Sequence, residues 1–123
     1  MPQTMQNLME LYITEIQKIY GDHLRKVILY GSYARGDNTP ESDVDIMIII
    51  DDSEDNVLKY RNRFSTIAAL LGMKYDVLLS VLFRDKGNFY KRAQYNPFYK
   101  NIVKEGVEWY GRDEHTLKQV FSQ

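Results

Sequence analysis

No unbroken apolar run in this chain exceeds five residues, and just before one that reaches that length, Ile46-Met47-Ile48-Ile49-Ile50, stand two aspartates, Asp43 and Asp45. A run that short cannot cross a bilayer, which takes about 18 to 20 apolar residues in a helix. It has the length of a strand, so a strand is predicted over Asp43–Asp51 in a soluble protein. A second short apolar run, Lys26–Tyr30, is halted by Gly31, as in a strand that enters a turn.

Helical periodicity fills most of the remaining chain. Met5, Leu8, Met9, Tyr12, Ile16 and Ile19 recur at three-and-four spacing and predict a helix over Thr4–Tyr20, with Gly21 at its end. The acidic cluster Asp51–Asp55 offers caps and dipole-matched charges for a second helix, whose apolar stripe runs from Val57 through Tyr60, Phe64, Ile67 and Ala68 to Leu71. Gly72 is expected to end it, and a third strand is expected over Lys74–Phe83. From Asp85 the chain reads as helical, broken at Asn96-Pro97 and resumed over Pro97–Glu105, with a short edge strand over Val107–Tyr110 and a polar tail beyond. This order predicts an α+β or α/β layered fold with a small mixed sheet flanked by helices.

The chain has 123 residues, the size of one domain. The expected division is a helix over 1–21, a core over 24–110 and a tail over 111–123. With no cysteine, thiolate metal sites and disulfides are excluded. Sixteen basic residues against seventeen acidic ones give no overall footprint for nucleic acid, so direct nucleic-acid binding is not expected. The first eleven residues carry no basic segment followed by an apolar one, and a cytoplasmic location is the default expectation.

Chemistry concentrates between Gly31 and Asp45. Glycines at 31 and 36 bracket a turn directly after a strand, where exposed amides and the Ser32 hydroxyl can donate to phosphate oxygens. Such a turn is also ordinary punctuation. Asp43 and Asp45 occupy alternate strand positions, so both project from one face roughly 6.5 to 7 Å apart. Two adjacent like charges call for compensation, either by a hard cation such as Mg²⁺ or by solvent at the strand's first residues. Asp76 is a third candidate carboxylate, with a pairing to Lys74 or Arg84 as the alternative. Arg35 is either a phosphate contact or an ion-pair partner of Asp37 or Glu41. The tyrosines, His23 and His115 read as packing or surface residues, and Lys100 and Lys104 as a solvated helical face or a basic site.

Gly31-Ser32, ten intervening residues and Asp43-Val44-Asp45 resemble the Gly-Ser-x10-Asp-x-Asp signature of the polymerase-β-like nucleotidyltransferase superfamily. The fuller string Gly31-Ser32-Tyr33-Ala34-Arg35-Gly36 with Ser42-Asp43 resembles its minimal nucleotidyltransferase branch, often the antitoxin of HEPN/MNT toxin–antitoxin pairs. Asp76 falls where that family has its third carboxylate, and Pro97-Phe98 through Glu105-Gly106-Val107 is similar to the branch's usual ending. The resemblance implies a nucleotidyltransferase fold and transfer of AMP from ATP to a hydroxyl of a partner, a tyrosine of a HEPN ribonuclease toxin. It implies that Asp43, Asp45 and Asp76 ligate two Mg²⁺ ions, with Asp76 accepting the acceptor's proton, and that Gly31, Ser32 and Arg35 hold the triphosphate. A non-catalytic antitoxin that works by occlusion and a small-molecule nucleotidyltransferase are the alternatives.

Overall fold

The computed structural model describes residues 3–111. The isoleucine-rich strand is its centre. Strand β2 (Val44–Ile50) pairs antiparallel with β1 (Leu24–Tyr30) and parallel with β3 (Leu79–Asp85), and β4 (Val107–Gly111) pairs antiparallel with the far edge of β1. The sheet order is β3-β2-β1-β4.

Every residue of β2 except Asp45 is buried, because both faces of the sheet are covered. Val44, Ile46, Ile48 and Ile50 face one core, formed with helix α1 (Gln3–Tyr20), α3 (Glu54–Lys59) and α4 (Arg61–Tyr75). Met47 and Ile49 face the other, formed with α5 (Lys86–Ala93) and α6 (Pro97–Glu105). In the first core Phe64 stacks on Phe83 at 5.5 Å, and the buried Tyr12 hydroxyl donates to the Phe64 carbonyl at 3.1 Å. That bond removes the cost of burying a phenol, which would otherwise offset the gain of about 1.5 to 3 kcal/mol from burying each large apolar side chain. In the second, Phe89 meets Tyr99 edge-on. No helix among the described residues is long and apolar enough to cross a membrane.

Most predicted elements are present, with three corrections. The single helix expected after the acidic cluster is two, because Tyr60 leaves helical geometry at φ −102°, ψ 7°. Ser53 caps the first of them, accepting from the Asn56 amide. The turn after Gly31 contains one helical turn, α2 (Ser32–Arg35).

The third correction concerns Gly72 and Asp76. Gly72 does not stop α4; the helix continues to Tyr75 and ends on Asp76, which takes the left-handed conformation at φ 56°. The third strand therefore begins at Leu79 rather than Lys74. Gly72 serves close approach instead: the returning Val77 amide donates to its carbonyl at 2.9 Å, and a Cβ at position 72 would overlap the Val77 carbonyl oxygen. Further along, Asp85 and Asn96 cap α5 and α6, and Pro97 occupies the first turn of α6 as expected. The predicted tail beyond 111 lies outside the described residues.

Gly72→Ala separates the two roles. Helix propensity alone would make it stabilising by about 1 kcal/mol. The overlap with a backbone oxygen reverses the sign, and urea denaturation is expected to show a loss of roughly 1 to 3 kcal/mol.

Candidate active site

β1 delivers the chain to Gly31, whose backbone (φ 73°, ψ −153°) is open only to glycine. A Cβ there would also run into the Asp45 carboxylate. The glycine turn and the second aspartate are thus fitted to each other. α2 follows, with the Arg35 amide donating to the Gly31 carbonyl at 3.0 Å and the Gly36 and Asp37 amides both donating to the Ser32 carbonyl. The first amides of a helical turn have no partner in the turn itself, which leaves donors at Ser32 and Tyr33 for a ligand. Gly36 closes the turn in the left-handed conformation.

Asp45 sits on β2 opposite Tyr30 and beside Ser80 of β3, on the face of the sheet that carries α5 and α6. Asp43 is the exposed residue immediately before β2, and the Val44 amide extends the β2–β3 ladder by donating to the Leu78 carbonyl at 2.8 Å. Burial pushes the Asp45 carboxyl above the usual carboxylate range, the Asp43 charge pushes it further, and Arg35 partly offsets both. The two carboxylates repel, and of the two Asp45 lines a cleft while Asp43 stands exposed outside its lining.

That cleft has a volume of about 480 Å³. Gly31, Ser32, Arg35 and Asp45 line one side, with Tyr30 at its base. Phe98, Asn101, Ile102 and Glu105 of α6 line the other. Burial, then the Asp45 charge, pushes the Tyr30 hydroxyl up to about 12, so it is a neutral donor at physiological pH. Phe98 is 44% exposed although it packs edge-on against Tyr30 at 5.9 Å. Arg35 bridges the two walls, donating to Glu105 at 3.0 Å and to Asp37 at 3.2 Å. Of the two ion pairs weighed for it from sequence, that with Asp37 forms, and Glu105 is an addition.

Asp76 stands apart from this group. It is exposed on the cap of α4, three positions ahead of β3, and does not line the cleft. Among the described residues no group of three or more His, Cys, Asp or Glu side chains stands close enough to hold an ion. The convergence of three carboxylates expected from sequence is therefore absent from this structure, because the left-handed turn at Asp76 and the later start of β3 keep that side chain out of the strand. The pair that does meet fits a metal of a particular kind: Mg²⁺ binds through one or two carboxylates plus substrate phosphates, with no all-protein cage.

The wall contributed by α6 is not among the site residues expected from sequence. Its signal was present: 98, 101, 102 and 105 lie at the spacing of one helical face. Lys100 and Lys104 are exposed and do not line the cleft, and His23 bonds the Asp51 carbonyl at 2.8 Å.

Comparison with known proteins gives the same picture. Two proteins of Methanocaldococcus jannaschii named, by inference, protein adenylyltransferases are similar to this chain, one 38% identical over 76% of it and 87% of its own length, the other 33% identical over 77% and 87%. A crystal structure of a toxin–antitoxin with AMP-PNP matches the fold with a TM-score of 0.53 at 23% identity, covering 85% of this chain and 74% of its own. The nucleotidyltransferase domain family matches residues 9–110, from the first helix to the edge strand. With the glycine turn and Asp45 fitted together inside that span, the chain belongs to the nucleotidyltransferase domain family and is a nucleotidyltransferase.

Proposed function

We propose that this protein transfers AMP from ATP to a hydroxyl group of a partner protein, a tyrosine of a HEPN-type ribonuclease toxin, and acts as its antitoxin. The observation that carries the reading is the fit of Asp45 against Gly31 at the mouth of a cleft, with Asp43 beside it. The names of the M. jannaschii relatives support protein adenylylation, and the fold shared with a toxin–antitoxin that binds AMP-PNP supports the partner and the nucleotide.

In this reading the triphosphate lies along the Gly31–Arg35 turn. The Ser32 hydroxyl and the free amides donate to its non-bridging oxygens, and Arg35 exchanges Glu105 for phosphate. Asp43 and Asp45 would hold Mg²⁺, which supplies neutralisation of the charge that develops on the phosphates. The hydroxyl oxygen of the acceptor forms a bond to the α-phosphorus as its proton passes to solvent water, the bond from that phosphorus to the oxygen bridging the β-phosphate breaks, and pyrophosphate leaves. Positioning and charge neutralisation dominate such a step, so loss of either carboxylate is more damaging than loss of a donor. A role for Asp76 as the third ligand and proton acceptor rests on the resemblance alone. A cytoplasmic site of action follows from the proposed partner.

Intact-mass analysis of the partner after incubation with wild-type protein, ATP and Mg²⁺ is expected to show the mass of one AMP residue added per transfer. Asp43→Asn with Asp45→Asn should abolish it. A double variant that still silences the partner at stoichiometric concentration, with no mass change from wild type, would establish occlusion instead.

The carboxylate repulsion gives a second test. The folded-state pKa of Asp45 lies above its unfolded value, so the folded protein holds that proton more tightly, and stability falls as pH rises through this window. At neutral pH the ionised group is a standing cost. In EDTA, Asp45→Asn is expected to melt above wild type at pH 7, with the margin closing as the pH falls to about 4. Mg²⁺ with a non-hydrolysable ATP analogue should raise the wild-type melting temperature and leave the variant unmoved.

A further inference from the structure

β3 runs parallel to β2, so its last residues lie at the end of the sheet remote from Asp43. A separate cleft of about 250 Å³ opens there. Three guanidinium groups line it: Arg61 from α4, Arg84 from β3 and Arg92 from α5. Among the described residues none of the three has a carboxylate within 4 Å. Two are held by one phenol: the Arg84 Nε donates to the Tyr99 hydroxyl at 2.8 Å and the Arg92 Nη1 to the same oxygen at 3.3 Å. Arg84 also donates to the Phe83 carbonyl at 2.8 Å. Two acids share the wall and offset part of this charge, with Glu54 favouring the charged form of Arg92, but neither forms an ion pair with the group, so three positive charges face two negative ones. Asp85 is committed to the cap of α5, accepting from the amide and the side chain of Asn88, and Glu54 is an exposed first-turn residue of α3.

Three like charges drawn from three elements into one small cleft repel one another, and an arginine carries five donors, of which these bonds use at most two. The unused donors face the cleft or solvent, since none of them is buried without a partner. Planar guanidinium forks match phosphate oxygens in pairs, and a cleft of this size admits a phosphate or diphosphate group but no large ligand. We propose that this cleft is a second binding site, for a phosphate-bearing small molecule, distinct from the nucleotidyl-transfer cleft. It does not depend on which acceptor or partner the first cleft serves.

The test is a heteronuclear NMR titration of the full chain with inorganic pyrophosphate in EDTA, which deprives the Asp43–Asp45 pair of metal. Saturable shifts are expected at Asn88 and at the Arg84 and Arg92 side chains. Arg84→Gln with Arg92→Gln should weaken the dissociation constant read at Asn88 by about tenfold or more, the loss of one to two charge-assisted hydrogen bonds. Arg61→Gln alters an exposed side chain that supports no core contact, so it keeps the test valid if the double variant fails to fold, and it should weaken binding severalfold. AMP as a second probe distinguishes the source: tighter binding than pyrophosphate indicates a nucleotide, weaker binding an inorganic or diphosphate ligand. Shifts confined to Gly31–Arg35, or an affinity at Asn88 that Arg61→Gln and the double variant leave unchanged, would overturn the proposal.

Discussion

A strand with no solvent face governs this structure. Six of the seven residues of β2 are buried apolar side chains, and the seventh is Asp45. Such a strand requires layers on both sides, and α1, α3 and α4 supply one while α5 and α6 supply the other. A carboxylate is tolerable in it only at an end, where a cleft admits water and ligand. Asp45 has that place because β1 stops at Tyr30 and Gly31 turns the chain away, with no side chain of its own to fill the space. The fold and the site therefore share one cause: the point at which the most buried strand becomes polar is the point at which its neighbour leaves the sheet.

The electrostatics follow from that placement. Burial and Asp43 both disfavour the charged form of Asp45, and Arg35 opposes them while bonded to two other acids. Glu105 thus holds the guanidinium across the cleft in the absence of phosphate. A ligand that brings both a cation and phosphate oxygens satisfies the two aspartates and the arginine together, whereas either alone satisfies one side only. A metal–nucleotide complex has that chemistry.

Sequence alone exposed the order of elements along the chain, the layered class and the Gly31–Asp45 segment, because each rests on local pattern: apolar runs, alternation and glycine spacing. It did not expose what depends on distant chain segments. Gly72 reads as a stop signal, but its reason for being glycine is the carbonyl of Val77. Asp76 reads as a strand residue because an apolar run follows it, but a left-handed cap decides its conformation. Glu105 and Asn101 share a helical face with Phe98 and Ile102, which is local, but what that face meets is decided only when α6 packs across the sheet. Tertiary approach therefore accounts for all of these differences.

The parallel pairing of β2 with β3 also sorts charge along the sheet. The segments leading into both strands lie at one end, and they carry Asp43, Asp45 and, at the cap of α4, Asp76. The segments leaving both strands lie at the other end, where Arg84, Arg61 and Arg92 stand together with Asp85 and with the Asp51–Asp55 acids that open α3. Neither group neutralises the other, since the full length of β2 and its apolar side chains stand between them. A chain with a formal charge of −1 thus carries two mutually repelling carboxylates at one end of its sheet and a mixed cluster of arginines and acids at the other. Net charge conceals that separation, and the crossover through α3 and α4, which makes the parallel pair possible, is the element that creates it.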